Sequence, residues 1–163
     1  MPVKILLEIC MLRGAPQDLP FSRVGMAGAL VAYAMADVIA VIDLLVLENA
    51  LLAAAVDTLL LAAATRLALQ WRHFENRATQ TLTALAGSGA LLSMLAWTGT
   101  VLVRGSLPPE WIWAAFLVWY TLVFGHVLRH ALSISFAVGV GASILYLILS
   151  MGVTGLFIID PAR

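Results

Sequence analysis

The sequence predicts an all-α, polytopic membrane protein of five transmembrane helices, preceded by a short amphipathic helix. Of its 163 residues, 63% are hydrophobic and only 11% are charged, whereas soluble domains are about half apolar. A soluble domain of this size still exposes about 30% of its unfolded-chain surface, so a bilayer must cover the remaining apolar area. The formal net charge of zero gives no support to a nucleic-acid partner, since that binding requires neutralisation of phosphates. Membrane lipids are the expected surroundings.

The amino-terminal segment, residues 2–13, predicts a helix that is too short to span a bilayer. Its apolar side chains fall near one side of the helix: Val3, Leu6, Ile9 and Cys10. Such a helix is typical of one that lies on the cytoplasmic leaflet, either alone or as a docking surface for another subunit. Pro16 and Pro20 prevent the connector from continuing it. Residues 1–23 are therefore a cytoplasmic segment, and residues 24–163 a single transmembrane domain.

Five apolar segments are long enough to cross the membrane, since about 20 residues at 1.5 Å each span the hydrocarbon core. These predicted spans are residues 24–46, 50–69, 81–103, 111–128 and 133–159. The links between them are too short for a catalytic domain, and the motifs of serine hydrolases, zinc peptidases and NTPases are absent. The sequence therefore predicts no enzyme.

Lysine and arginine positions predict the orientation, because these residues favour cytoplasmic loops. Seven of the nine fall on one side of the predicted topology: Lys4, Arg13, Arg23, Arg66, Arg72, Arg77 and Arg129. Only Arg104 and Arg163 fall on the other, where the first turn carries Asp43 and Glu48. We expect the amino terminus in the cytoplasm and the carboxy terminus in the periplasm, across a bacterial inner membrane.

Two aspartates lie inside predicted spans, Asp37 in the first and Asp57 in the second. Both would lie about 12 to 16 Å below the outer face, so an antiparallel helix pair could bring them together. Close carboxylates repel, and one would hold a proton or a cation would lie between them. Ionisable groups at this depth are often functional. Alternatively, a protonated aspartate joins helices through Tyr33 or Thr58, or a carboxylate pairs with a basic residue of a partner subunit.

A basic cluster of His126, Arg129 and His130 ends the fourth span, near the inner headgroups, where we expect contact with lipid. The two histidines could instead ligate a metal or haem, with His73 on the same side of the membrane. No carboxylate at matching depth supports a metal, so we predict no metal site and no cofactor. Haem or a bound lipid is the alternative. The single Cys10 cannot by itself form a thiolate zinc site.

Small residues recur in two predicted spans, with Gly87 and Gly89 in the third and Gly139 and Gly141 in the fifth. Glycines at these spacings let helix backbones approach closely. They predict helix-packing surfaces, which could face a sibling helix or another protein.

The layout resembles bacterial members of the Yip family. The similarity covers most of the chain: a short amino-terminal segment with a Pro-rich connector, five spans, and a polar turn leading into Gln80-Thr81-Leu82-Thr83-Ala84-Leu85. Eukaryotic members of that family are associated with membrane trafficking and small-GTPase partners. The resemblance implies a membrane-organising or accessory role without catalytic residues.

Three functional hypotheses follow from the sequence. The first is a non-catalytic accessory or scaffold subunit of the inner membrane, which binds other membrane proteins through small-residue helix faces and the amino-terminal helix. The second is a small protein that handles protons or cations at Asp37 and Asp57. The third is a haem-bearing subunit that uses His126 or His130.

Overall fold

The computed structural model of the protein describes residues 2–42, 45–103 and 108–156, and all regular structure within these ranges is helical. The six α-helices are α1 (Pro2–Cys10), α2 (Arg23–Val41), α3 (Leu47–Trp71), α4 (Ala78–Leu102), α5 (Pro109–Leu132) and α6 (Phe136–Gly155). Two 3-10 helices, Pro16–Asp18 and Glu75–Arg77, precede α2 and α4.

The five helices α2 to α6 are long and apolar enough to cross a membrane. This confirms the predicted all-α class and the number of long apolar segments. Helices α3, α4 and α5 correspond to the second, third and fourth predicted spans, and each begins two or three residues before the predicted start. Asp43, Arg104, Arg163 and the end of the fifth predicted span lie outside the described residues.

The first and last spans differ more from the prediction. Helix α2 ends at Val41 and not at residue 46, and the described residues 45 and 46, which precede α3, are not helical. Helix α5 continues to Leu132, where Ser133 adopts a left-handed conformation with φ of 54°. Such a residue ends a helix, and Ser135 then caps α6 by accepting a hydrogen bond from the Val138 amide.

Helix α4 is central to the bundle and packs mainly against α2 and α5, while α6 packs against α5 and α3. Glycines set the closest approach, between α5 and α6. A Cβ atom on Gly139 would collide with the carbonyl oxygen of Gly125, and one on Gly125 would lie 2.8 Å from the Cα atom of Val140. Only residues without side chains allow these two backbones to touch.

Helix α1 packs into the bundle against α4 and α5. Leu6 fills the space above Gly87, and the Trp119 indole donates a hydrogen bond of 3.0 Å to the carbonyl of Cys10. Gly87 lies about 14 Å along α4 from its first residue. Ile9, Cys10 and Leu19 accordingly share one buried core with residues of α2 to α6.

One end of the bundle carries most of the arginines. Arg23 begins α2, Arg72 follows α3 and Arg77 precedes α4, while Arg129 lies in the last turn of α5. The Arg77 guanidinium donates to the carbonyls of His130 and Ala131, at 3.3 and 3.2 Å, which joins the start of α4 to the end of α5. We call this the arginine end of the bundle.

Candidate functional site

A cavity of about 380 Å³ occupies the half of the bundle opposite the arginine end. It extends from Tyr33 and Asp57 to Leu45 and Trp113, and Asp37 also lines it. Tyr33 lies about 15 Å from the start of α2 and Asp57 about 15 Å from the start of α3, and these starts are at opposite ends of the bundle, so both residues lie near its middle. The two intramembrane aspartates predicted from the sequence therefore face one cavity.

Asp57 is the most heavily bonded side chain of this cavity. It is 5% exposed and accepts hydrogen bonds from Tyr33, at 2.7 Å, from Tyr146, at 3.3 Å, and from Ser150. Hydroxyl groups from α2 and α6 thus converge on a carboxylate of α3. Hydrogen bonds donated to a charged carboxylate are stronger than those between neutral groups.

Tyr120 extends this network to α5. Its hydroxyl oxygen lies 3.2 Å from that of Tyr33, and either hydroxyl can be the donor in that contact. A hydroxyl group has one proton to donate, so when Tyr33 donates to Asp57, Tyr120 must donate to Tyr33. If Asp57 gains a proton, the direction of donation along the chain can reverse. Tyr120, Tyr33 and Asp57 therefore form a continuous hydrogen-bonded chain.

Asp37 lacks such partners. Its Oδ2 atom is buried and has no hydrogen-bond partner among the described residues, and the same holds for Oγ1 of Thr58. Because α2 ends at Val41, Asp37 lies only about 6 Å from the end of its helix. Measured from the arginine end, Asp37 and Asp57 each lie 14 residues, about 21 Å, along their helices. The similar depth of the two aspartates in the membrane stays a prediction.

No basic side chain compensates the two carboxylates within the described ranges. The salt bridge found there joins Lys4 to Glu8, at 3.7 Å, within α1. Groups of three or more His, Cys, Asp or Glu side chains that could hold a metal ion are also absent from the described part of the chain.

An aromatic stack closes the cavity toward the arginine end. The Tyr120 and Phe124 rings stack at 4.1 Å, and the Phe124 and Tyr146 rings at 5.9 Å. Beyond this stack lies a second cavity of about 230 Å³, lined by mostly apolar residues of α3 to α6, among them Phe124 and Tyr146. Tyr146 thus touches the second cavity with its ring and Asp57 with its hydroxyl group.

The basic cluster predicted at the end of the fourth span has a buried member. His126 is 3% exposed, and its Nε2 atom lies 2.8 Å from the Gly14 carbonyl oxygen. Since a carbonyl only accepts, Nε2 carries the proton. Arg129 donates to His130 at 3.2 Å, and the carbonyl of His130 accepts from Gln17. These contacts join the amino-terminal connector to α5.

The predicted glycine surfaces face the chain itself at three of four positions. A Cβ atom on Gly87 would meet Leu6, one on Gly89 would meet the Tyr33 ring, and one on Gly139 would meet Gly125. At Gly141 no neighbouring helix among the described parts of the chain comes within 4 Å of that position. Gly89 thus makes room for the Tyr33 ring at the cavity.

Sequence reasoning found Asp37, Asp57 and Tyr33 but missed Tyr120, Tyr146 and Ser150. The positions of the tyrosines in the sequence could have indicated part of this network. The chain has three tyrosines, and each lies near the middle of a predicted span, where a phenolic hydroxyl group needs a hydrogen-bond partner. Asp57 meets this need for Tyr33 and Tyr146.

No model of a protein family matches the chain, and no curated protein or solved structure shows a significant match to it. The resemblance to the Yip family therefore stays a prediction, and functional inference depends on the cavity and the residues that line it.

Proposed function

We propose that this is a small membrane protein that binds and exchanges a proton or a monovalent cation at Asp37 and Asp57. The carrying observation is that both aspartates line one cavity with no basic partner among the described residues. In a low-dielectric interior two carboxylate charges repel strongly, and neutralisation by a proton or cation lowers that energy.

The two aspartates have different roles in this proposal. Asp57 is the fixed anion, because three hydroxyl groups donate to it. Asp37 is the exchanging group, because its buried Oδ2 has no hydrogen-bond partner among the described residues and buried polar atoms are almost always paired. A proton on Asp37, or a cation between the two groups, satisfies that atom.

The proposed setting is a bilayer with the arginine end in the bacterial cytoplasm, which places the carboxy terminus in the periplasm. Large apolar side chains on the outside of the bundle support the bilayer, among them Leu59, Leu67 and Leu145. Arginines are favoured on the cytoplasmic side. In this orientation α1 belongs to the cytoplasmic half of the bundle, where it packs against α4 and α5, and the cavity belongs to the periplasmic half.

Proton flux in liposomes tests the proposal. The purified protein is reconstituted into liposomes that contain a pH-sensitive dye, and a sodium or potassium gradient is applied. We expect the wild type to change the internal pH about tenfold faster than empty liposomes, and Asp57→Asn and Asp37→Asn to return the rate to that background.

Glu48→Gln is the matched control, because it also removes one carboxylate but from an exposed position in the first turn of α3. It should keep the wild-type rate. Each variant is compared with the wild type by gel filtration in detergent, so that loss of flux is separated from loss of folding. A wild-type rate equal to that of empty liposomes, or an undiminished rate in Asp57→Asn, would overturn the proposal.

The other two hypotheses stay predictions. Gly87, Gly89 and Gly139 contact parts of this chain, so these glycines do not favour an accessory subunit over the ion-handling function. The proton of His126 Nε2 is used by the Gly14 carbonyl, and no contact favours haem.

A further inference from the structure

The cavity at Asp37 and Asp57 is much larger than a proton or a bare metal cation requires. Its volume is about 380 Å³, whereas one water molecule takes about 30 Å³ of liquid volume. Sites for small organic molecules have volumes of about 300 to 1,000 Å³. The volume therefore fits an organic ligand, and the carboxylates determine its charge.

The lining combines an acidic side with an aromatic side. The carboxylates come from α2 and α3, and α5 contributes Trp113, Phe116 and Tyr120. Aromatic faces attract cations, most strongly when water is excluded. An anionic ligand is disfavoured, because no basic side chain forms a salt bridge with Asp37 or Asp57 in the described ranges. A neutral ligand would gain no electrostatic attraction from the carboxylates.

We propose that the cavity binds a hydrophobic organic ammonium ion, whose charge lies between Asp37 and Asp57 and whose apolar body contacts Trp113 and Phe116. The inference rests on the proposed cation site and names its ligand class. Before binding, Asp37 holds a proton. Binding of one ammonium ion releases that proton to water, so the charge of the site does not change.

Titration calorimetry of the full-length protein in detergent tests the ligand class with two probes of nearly equal shape. Benzyltrimethylammonium carries the charge, and neopentylbenzene has carbon in place of nitrogen. We expect the cation to bind at least about tenfold more tightly than its neutral counterpart, since carboxylates and aromatic faces both act on the charge. Repeating the titration in buffers of different ionisation enthalpy should show about one proton released per bound cation.

Variants connect the binding to this cavity. Asp57→Asn should weaken binding of benzyltrimethylammonium at least about tenfold, and Glu48→Gln should leave it unchanged. Ser93→Phe is a second variant, which places a ring in the cavity without removing a carboxylate. It should also block binding, whether or not Asp57→Asn folds.

The outcomes separate this inference from the proposed function. If benzyltrimethylammonium does not bind while the aspartate-dependent proton flux persists, the organic-cation inference is wrong and the inorganic cation or proton function stands. If the two probes bind equally well, the cavity selects shape and not charge, and the inference is also wrong. If neither cation binding nor flux occurs, both proposals fall.

Discussion

Asp57 shows how a charged group is stabilised inside this bundle without a salt bridge. Three hydroxyl donors from two helices surround its carboxylate, and charge-assisted hydrogen bonds are stronger than neutral ones. They lower the cost of burying the charge, although they leave its net charge uncompensated. The carboxylate therefore still attracts a cation while its position is fixed by α2 and α6.

Tyr33→Phe tests this network at the level of a single atom. The ring that packs over Gly89 is retained, and the hydrogen bond of 2.7 Å to Asp57 is lost. We expect a loss of about 1 to 3 kcal/mol in the free energy of unfolding, because a buried charged acceptor loses a donor. Unfolding in mixed micelles with increasing dodecyl sulfate measures the change.

Tyr120→Phe is the control for that prediction. It removes the hydroxyl group at the end of the chain and leaves the bond between Tyr33 and Asp57 in place. Its cost should be smaller than that of Tyr33→Phe. Equal costs, or the reverse order, would show that the hydrogen bond to Asp57 does not stabilise the fold.

At the residue scale, sequence alone identifies charged groups that are out of place but not the groups that surround them. Asp37 and Asp57 are visible because carboxylates are rare in apolar segments. Tyr146 and Ser150 are in a different span from Asp57, and their contact with it depends on how α6 is rotated against α3. That rotation is fixed by packing, which one sequence does not reveal.

Among the secondary-structure elements, α5 and α6 have the closest contact, and its cause is the absence of two side chains. Gly139→Ala would place a Cβ atom against the carbonyl oxygen of Gly125. Backbone atoms cannot rotate away, so the two helices must separate. We expect a loss of about 1 to 3 kcal/mol in the free energy of unfolding, as for other overpacked positions, measured in the same mixed-micelle titration.

Gly141→Ala is the matched substitution on the same helix, two residues away. Apart from the nearby backbone of α6 itself, no atom of the described residues lies within 4 Å of its Cβ position, so we expect a change within about 0.5 kcal/mol. If both glycine variants lose the same stability, the cost reflects the general effect of alanine in α6 and not the contact with Gly125.

The helices themselves were predictable, because hydropathy over about 20 residues is a strong signal. Their ends were less so. The end of α5 depends on Ser133 adopting a positive φ, which a serine adopts only rarely. The position of α1 was also not predictable in detail, since an amphipathic pattern gives the apolar side of a helix but not the groove that receives it.

Along the axis of the helix bundle, polar side chains are concentrated in two places: at the arginine end, and around Asp57 near the middle. The aromatic stack of Tyr120, Phe124 and Tyr146 separates the cavity from the second, apolar cavity. Under the proposed function, a bound cation reaches Asp57 from the periplasmic side, and release toward the cytoplasm requires these rings to move. The aromatic stack is thus the barrier between the two halves.

The orientation of the whole chain is open to a direct test with single added cysteines. The native Cys10 does not interfere, because burial raises the pKa of its thiol from the ordinary 9.0 to about 11. At neutral pH this leaves about a hundredfold less thiolate than an ordinary cysteine has, and the thiolate is the form that reacts. Reaction of Cys10 should begin only as the pH rises toward 11.

Glu48→Cys and Glu75→Cys form the matched pair for this test, since both replace an exposed glutamate and lie at opposite ends of α3. We expect a membrane-impermeant maleimide to label Glu48→Cys in intact bacterial spheroplasts, because the proposed orientation places it in the periplasm. Glu75→Cys should react only after the membrane is permeabilised, and the wild type should stay unlabelled in both samples. Labelling of Glu75→Cys alone in intact spheroplasts would invert the topology and open the Asp57 cavity to the cytoplasm.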